Sequence, residues 1–161
     1  MGVTTAAPSE KLFNTPLEAG VRAVIVLEAF APEAFDLRTL SLLDYHVVHT
    51  EDVGGPSSVH PALEARAGEF IVRRSLVESG VAMMVRSGIV ERSATSDGII
   101  YRAAPTAAPM LDLMVSEYNL RLHASARWLA ERAGETGLPE FLGTLRSSVD
   151  SRVDEMVGQP S

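Results

Sequence analysis

Apolar positions along the chain follow helical spacing over most of its length, and only one short stretch switches to the alternation of a strand. From Leu17 to Phe30, Val21, Val24, Ile25 and Leu27 cover most of a helical circumference, which predicts a deeply buried helix. The β-branched run Val24-Ile25-Val26 keeps a strand open as the minority reading. Thr15-Pro16-Leu17-Glu18 supplies its start, because Thr15 can cap, Pro16 suits the first helical position and Glu18 can close a capping box. Beyond Pro32, Asp36 is placed to cap a second helix whose stripe Leu37, Leu40, Leu43 and Val47 ends near His49. A third helix is expected from about Glu69 to Ser87, with Phe70, Val77, Val81 and Met84 on one side and Gly88 at its C-terminal cap. Gly80 inside this helix costs about 1 kcal/mol relative to Ala unless a close approach compensates, so a neighbouring helix is expected to cross there.

The period then changes. Ile89-Val90-Glu91-Arg92 and Ile99-Ile100-Tyr101-Arg102 are short β-prone runs around a polar turn with Asp97-Gly98, a hairpin signal. After Pro105, Thr106 can cap a long helix over Met110 to Arg132, bent near Ser116, with Leu113, Met114, Leu122 and Leu129 inward and Gly134 and Gly137 closing it. Pro139 to Val157 places Leu142, Leu145, Val149 and Met156 on one stripe of a last, amphipathic helix. The long connection from Thr50 to Gly68, with Gly54-Gly55-Pro56, Ser57-Ser58 and Pro61, is denied regular structure, and loops of that length are often functional.

Three helices followed directly by a hairpin is the order of a winged helix-turn-helix, with the third helix as recognition helix and residues 93–98 as wing tip. The expected class is therefore mainly α (α+β): a winged-helix core, a small β-hairpin wing and added C-terminal helices. The expected division is a flexible lead-in over 1–12, a winged-helix domain over 13–133, and an amphipathic helix over 138–158 that packs on the domain or on a partner.

Composition narrows the function classes. With 161 residues the chain suits one domain, and 6% aromatic residues leave Val, Leu, Ile, Ala and Met to build the core. The absence of cysteine removes disulfides, thiolate zinc sites and cysteine nucleophiles. Residues 1–10 carry no basic start with an apolar run, and no apolar stretch nears the roughly 18 to 20 residues of a membrane span, so a cytoplasmic location without membrane contact is expected. Net charge is −7, which opposes a phosphate backbone unless one face is locally basic. Residues 69–102 hold five arginines against four acids, less acidic than the remainder but without the Lys/Arg stripe of a strong DNA binder. Arg73, Arg74, Arg86, Arg92 and Arg102 are the candidate contacts to a partner or to DNA; a solvated helix face with Glu69 and Glu78 as intrahelical partners is the equally weighted alternative for the helical ones.

Catalytic motifs are sparse. Neither a phosphate-binding Gly-x-x-x-x-Gly-Lys-Ser/Thr run nor Gly-x-Gly-x-x-Gly is present, and Lys11 is the only lysine. His46, His49 and His60, with Asp44, Glu51 and Asp52 nearby, allow a divalent metal on paper; the weightier reading puts His49 at a helix C-terminus and His60 packed in the loop. Ser57 and Ser58 could be drawn into a triad with Asp52, yet no Gly-x-Ser-x-Gly elbow exists. No catalytic residue, metal or cofactor is assigned.

The runs Phe13-Asn14-Thr15-Pro16-Leu17-Glu18-Ala19-Gly20-Val21-Arg22-Ala23 and Leu43-Asp44-Tyr45-His46-Val47-Val48-His49 resemble the middle component of bacterial ABC-three component systems. So do Gly55-Pro56 with His60-Pro61, Arg73-Arg74, Ser87-Gly88-Ile89-Val90-Glu91-Arg92 and Tyr101-Arg102-Ala103, a resemblance spanning about Phe13 to Trp128. His46 departs from it, where an apolar residue is expected. The resemblance implies a small accessory subunit between a coiled-coil ABC ATPase of SMC or RecN-like type and an effector, in defences against phage or plasmids such as the Lamassu type. It implies partner-protein contacts and leaves open a homodimer and contact with DNA held by the ATPase; the charge distribution makes any DNA contact weak or indirect. Two rivals stand beside this non-enzymatic adaptor: a stand-alone dimeric winged-helix transcription regulator, and a small hydrolase using the three histidines.

Overall fold

In the computed structural model, residues 15–60 and 66–158 are described. The lead-in over 1–12 lies outside them, as does Pro61, and the side chains of Phe70 and Met156 are likewise outside the description. Helix α1 (Pro16–Ala29) starts as its sequence predicts, with the Thr15 hydroxyl accepting from the Glu18 amide at 3.2 Å. Ala23 to Leu27 are buried in succession, so α1 is the central helix of the fold. Asp36 caps α2 (Leu37–Val48) by accepting from the Thr39 amide at 2.8 Å. A 3₁₀ turn (Thr50–Val53) follows, and then loop residues 54–60. The Gly55 amide donates to the Thr50 carbonyl, and the Thr50 hydroxyl returns a bond to the Pro56 carbonyl at 2.8 Å.

Helix α3 (Arg66–Arg86) packs across α1, and the crossing point is glycine on glycine. A Cβ on Gly20 would stand 2.7 Å from the Gly80 carbonyl oxygen, and one on Gly80 would collide with the Pro16 carbonyl and the Gly20 amide nitrogen. The glycine inside α3 thus lets two backbones touch, as its position in the sequence anticipates. Gly88, with φ of 73°, ends the helix: its amide bonds to Val85 and the Ile89 amide to Met84, the paired bonds of a Schellman cap.

Strands β1 (Val90–Thr95) and β2 (Gly98–Ala103) pair antiparallel from Val90 with Ala103 to Thr95 with Gly98. Pairing runs to the end of both strands, so the tip expected over 93–98 shrinks to Ser96 and Asp97. Phe35, in the α1–α2 connection, extends this sheet by a bridge to Tyr101, with reciprocal bonds of 2.9 and 2.8 Å.

The helix expected over Met110 to Arg132 is two helices, α4 (Ala107–Asp112) and α5 (Glu117–Thr136). Ser116 sits in extended backbone and accepts from the Asn119 amide, which makes it the cap of a new helix. The break also corrects the inward assignment of Leu113, which is 82% exposed, whereas Leu122 and Leu129 are buried. Helix α6 (Leu138–Val157) returns over α5, α2 and α3. Its buried line is Phe141, Leu145 and Val149, with Leu142 only half-buried, and these join the same core cluster as α1 and α2.

Candidate functional site

The most unusual feature is polar. One ionisable residue from each of four helices, and one from the loop, meet inside the core. Asp44 of α2 is 1% exposed, and its two oxygens are taken by different arginines: Arg22 Nε of α1 at 2.8 Å and Arg73 Nη1 of α3 at 2.8 Å. Arg73 Nη2 reaches His60 Nδ1 at 3.1 Å. A guanidinium only donates, so Nδ1 accepts and the ring proton sits on Nε2, 2.8 Å from the Tyr118 hydroxyl of α5. Arg22 is also hydrogen-bonded to Tyr118, which closes the five side chains into a ring.

Burial alone would push the Asp44 carboxyl up, but the two guanidinium charges and their hydrogen bonds outweigh it and hold it below the usual carboxylate range. Burial pushes the Tyr118 phenol up, against the pull of Arg22. Asp44 therefore stays a carboxylate and Tyr118 a phenol.

A second buried group adjoins it. His46 Nε2 donates to the Leu145 carbonyl at 3.1 Å, and its Nδ1 has no hydrogen-bond partner among the described residues. Burial lowers its pKa to about 4, so the ring is neutral. Tyr45 packs its ring against His46 and His49, with centroids at 5.1 and 4.9 Å. Its hydroxyl bonds Asp52 at 3.2 Å, and Asp52 in turn pairs with Arg152 of α6 at 3.0 Å.

The three histidines are thus brought into one neighbourhood, with His49 and His60 rings 6.2 Å apart. Both His60 nitrogens are already engaged by Arg73 and Tyr118. Among the described residues no group of three His, Cys, Asp or Glu side chains is arranged to hold a metal. Ser58 exchanges bonds with Glu51, its amide to the carboxylate at 3.0 Å and its hydroxyl from the Glu51 amide at 3.2 Å, a loop-fixing pair.

The expected contact arginines are scattered. Arg73 is 1% exposed and belongs to the ring around Asp44, so its expected place on a contact surface is corrected: neighbouring helical positions point about 100° apart, and only Arg74 reaches solvent. Arg86, Arg92 and Arg102 are exposed. Arg102 pairs with Glu91 at 2.7 Å, on the face of the hairpin opposite to Arg92, since Arg92 stands across from Tyr101 and successive strand residues alternate. The ring itself escaped the sequence reading. Its signal was Arg22 and Asp44 within nearly continuous apolar helices, where a charge must find a partner.

Fold and polar interior together define a mainly helical α+β protein whose chemistry-bearing side chains bind one another inside the core. Among the described residues no helix is long and apolar enough to cross a membrane. The family model of ABC-three component system Middle Component 2 matches residues 12–155, and the chain belongs to that family. It is therefore a middle component of an ABC-three component system. The match continues past Trp128 through α5 and most of α6, so the C-terminal helix falls within the family pattern. No curated protein and no solved structure matches the chain.

Proposed function

We propose that this chain is a non-catalytic, cytoplasmic adaptor that links the ABC ATPase of its system to an effector through protein contacts, in a defence against foreign DNA. The observation that carries the reading is the family match across 12–155. Its buried ionisable residues support it, since in the ring around Asp44 each polar head group is occupied by another. The surface supports it as well: Leu113 and Val115 are 82% and 67% exposed in the α4–α5 connection, and Leu120 is 53% exposed in the first turn of α5. Large apolar side chains left exposed are available for burial against a partner.

A winged-helix architecture is part of the reading. It is supported by the hairpin that follows α3 directly and by the bridge from Phe35 to Tyr101 at the free edge of β2. With Arg73 in the core and Arg92 and Arg102 on opposite faces of the hairpin, no observation favours the stand-alone transcription regulator.

The test is omission. The ATPase and the effector are co-expressed with and without this chain, and one is captured through a tag on the other. Capture only when the chain is present is expected; equal capture without it overturns the linking role.

A further inference from the structure

Between the first turn of α2, the middle of α3 and α6 lies a groove of about 590 Å³, within the size of ordinary ligand clefts. Arg38, Arg74 and Arg146 line it, one from each helix, with Asp36, Val149 and Asp150. All three arginines are exposed, and none forms an ion pair with a carboxylate among the described residues. Arg86, Arg92, Arg121 and Arg127 likewise have none among the described residues, but only Arg38, Arg74 and Arg146 line one groove together. Burial would raise the Asp36 carboxyl, but the bonds from Thr39 and the charges of Arg38 and Arg146 hold it below the ordinary range, so it stays ionised in the groove. Three cations against Asp36 and Asp150 leave the groove positive on a chain whose net charge is −7.

From this arrangement we infer that the groove receives a short acidic segment of another component of the system, with carboxylate side chains seated on Arg74 and Arg146. The inference rests on the middle-subunit reading above. Guanidinium forks match carboxylates with two parallel hydrogen bonds, and three helices fix their spacing. Asp36 and Asp150 decide between anionic occupants. A nucleic-acid backbone sets an unbroken row of phosphates against both carboxylates, whereas a peptide can offer acids to the arginines and uncharged or basic residues to the aspartates. The buried apolar side of Val149 adds a floor for an aliphatic side chain. The remaining exposed arginines of the hairpin lie on other elements.

The full-length tagged chain, co-expressed with the other two components, provides the test. Arg74→Glu with Arg146→Glu is compared with wild type and with Arg127→Glu, an exposed position of α5; Arg74→Lys with Arg146→Lys keeps the charge and removes the forks. Far-UV circular dichroism checks that each variant folds. The glutamate pair is expected to lower the captured component by about tenfold or more, the lysine pair to lower it less, and Arg127→Glu to leave it unchanged. Capture by the glutamate pair at the wild-type level overturns the inference and leaves the middle-subunit reading standing. Failure of wild type to capture either component overturns both. If the glutamate pair loses retention of a duplex DNA oligonucleotide while keeping the protein components, the groove is a phosphate site and the inference is also overturned.

Discussion

Two guanidinium ions and one carboxylate in a core cost several kcal/mol each to desolvate, and their mutual attraction returns this only while all partners are present. Asp44 is the pivot, because each oxygen serves a different arginine. Asp44→Asn leaves two buried cations facing a neutral amide and is expected to cost about 3–5 kcal/mol in urea unfolding; a loss below about 1 kcal/mol would mean that the ring is solvated. His46 makes stability depend on pH. The unfolded ring takes up a proton near 6.5, and the folded ring only near 4, so protons favour the unfolded state across that window. Stability present above pH 6.5 is therefore lost as pH falls towards 4, by up to about 3 kcal/mol. His46→Gln keeps a donor for Leu145 and should flatten that fall; an unchanged slope would assign the pH dependence to other groups. At this scale the sequence was half legible. It marked His46 as a departure from the resemblance, where an apolar residue is expected, but Arg73 read as a surface residue because the helical pattern around Arg73-Arg74 cannot say which of two adjacent arginines has a carboxylate waiting on another helix.

Elements were read more fully than residues. Local signals, meaning Thr15 and Asp36 as caps, Gly88 after α3 and the Asp97-Gly98 turn, place helix starts, a helix end and a hairpin, since each acts through its own few neighbours. The break at Ser116 was legible as a bend yet not as two helices, because Leu113 and Met114 continue the apolar spacing while the chain leaves the helix. The α1–α3 crossing is the element most open to test. Gly80→Ala places a methyl against the backbone of Pro16 and Gly20, so α1 must move away. Overpacking of this kind costs about 1–3 kcal/mol, and the backbone partners put this case at the upper end. Thermal unfolding checks it, and a variant as stable as wild type would mean that the helices are not in contact there.

For the whole molecule, two features of the sequence carried most of the functional reading: an acidic chain without nucleotide or cysteine chemistry, and spaced runs shared with a family whose model covers 12–155. What stayed hidden is the surface. The grouping of Arg38, Arg74 and Arg146 joins residues more than a hundred positions apart and arises only when α6 folds back over α2 and α3. The exposure of Leu113 and Val115 likewise depends on where α4 stops. Both features suit a chain that works inside an assembly. The most direct measurement is the native mass of the complex purified through a tag on this chain from cells expressing all three components. A defined mass containing this chain, the ATPase and the effector is predicted; a mass equal to this chain alone, or to a multiple of it, would contradict the account.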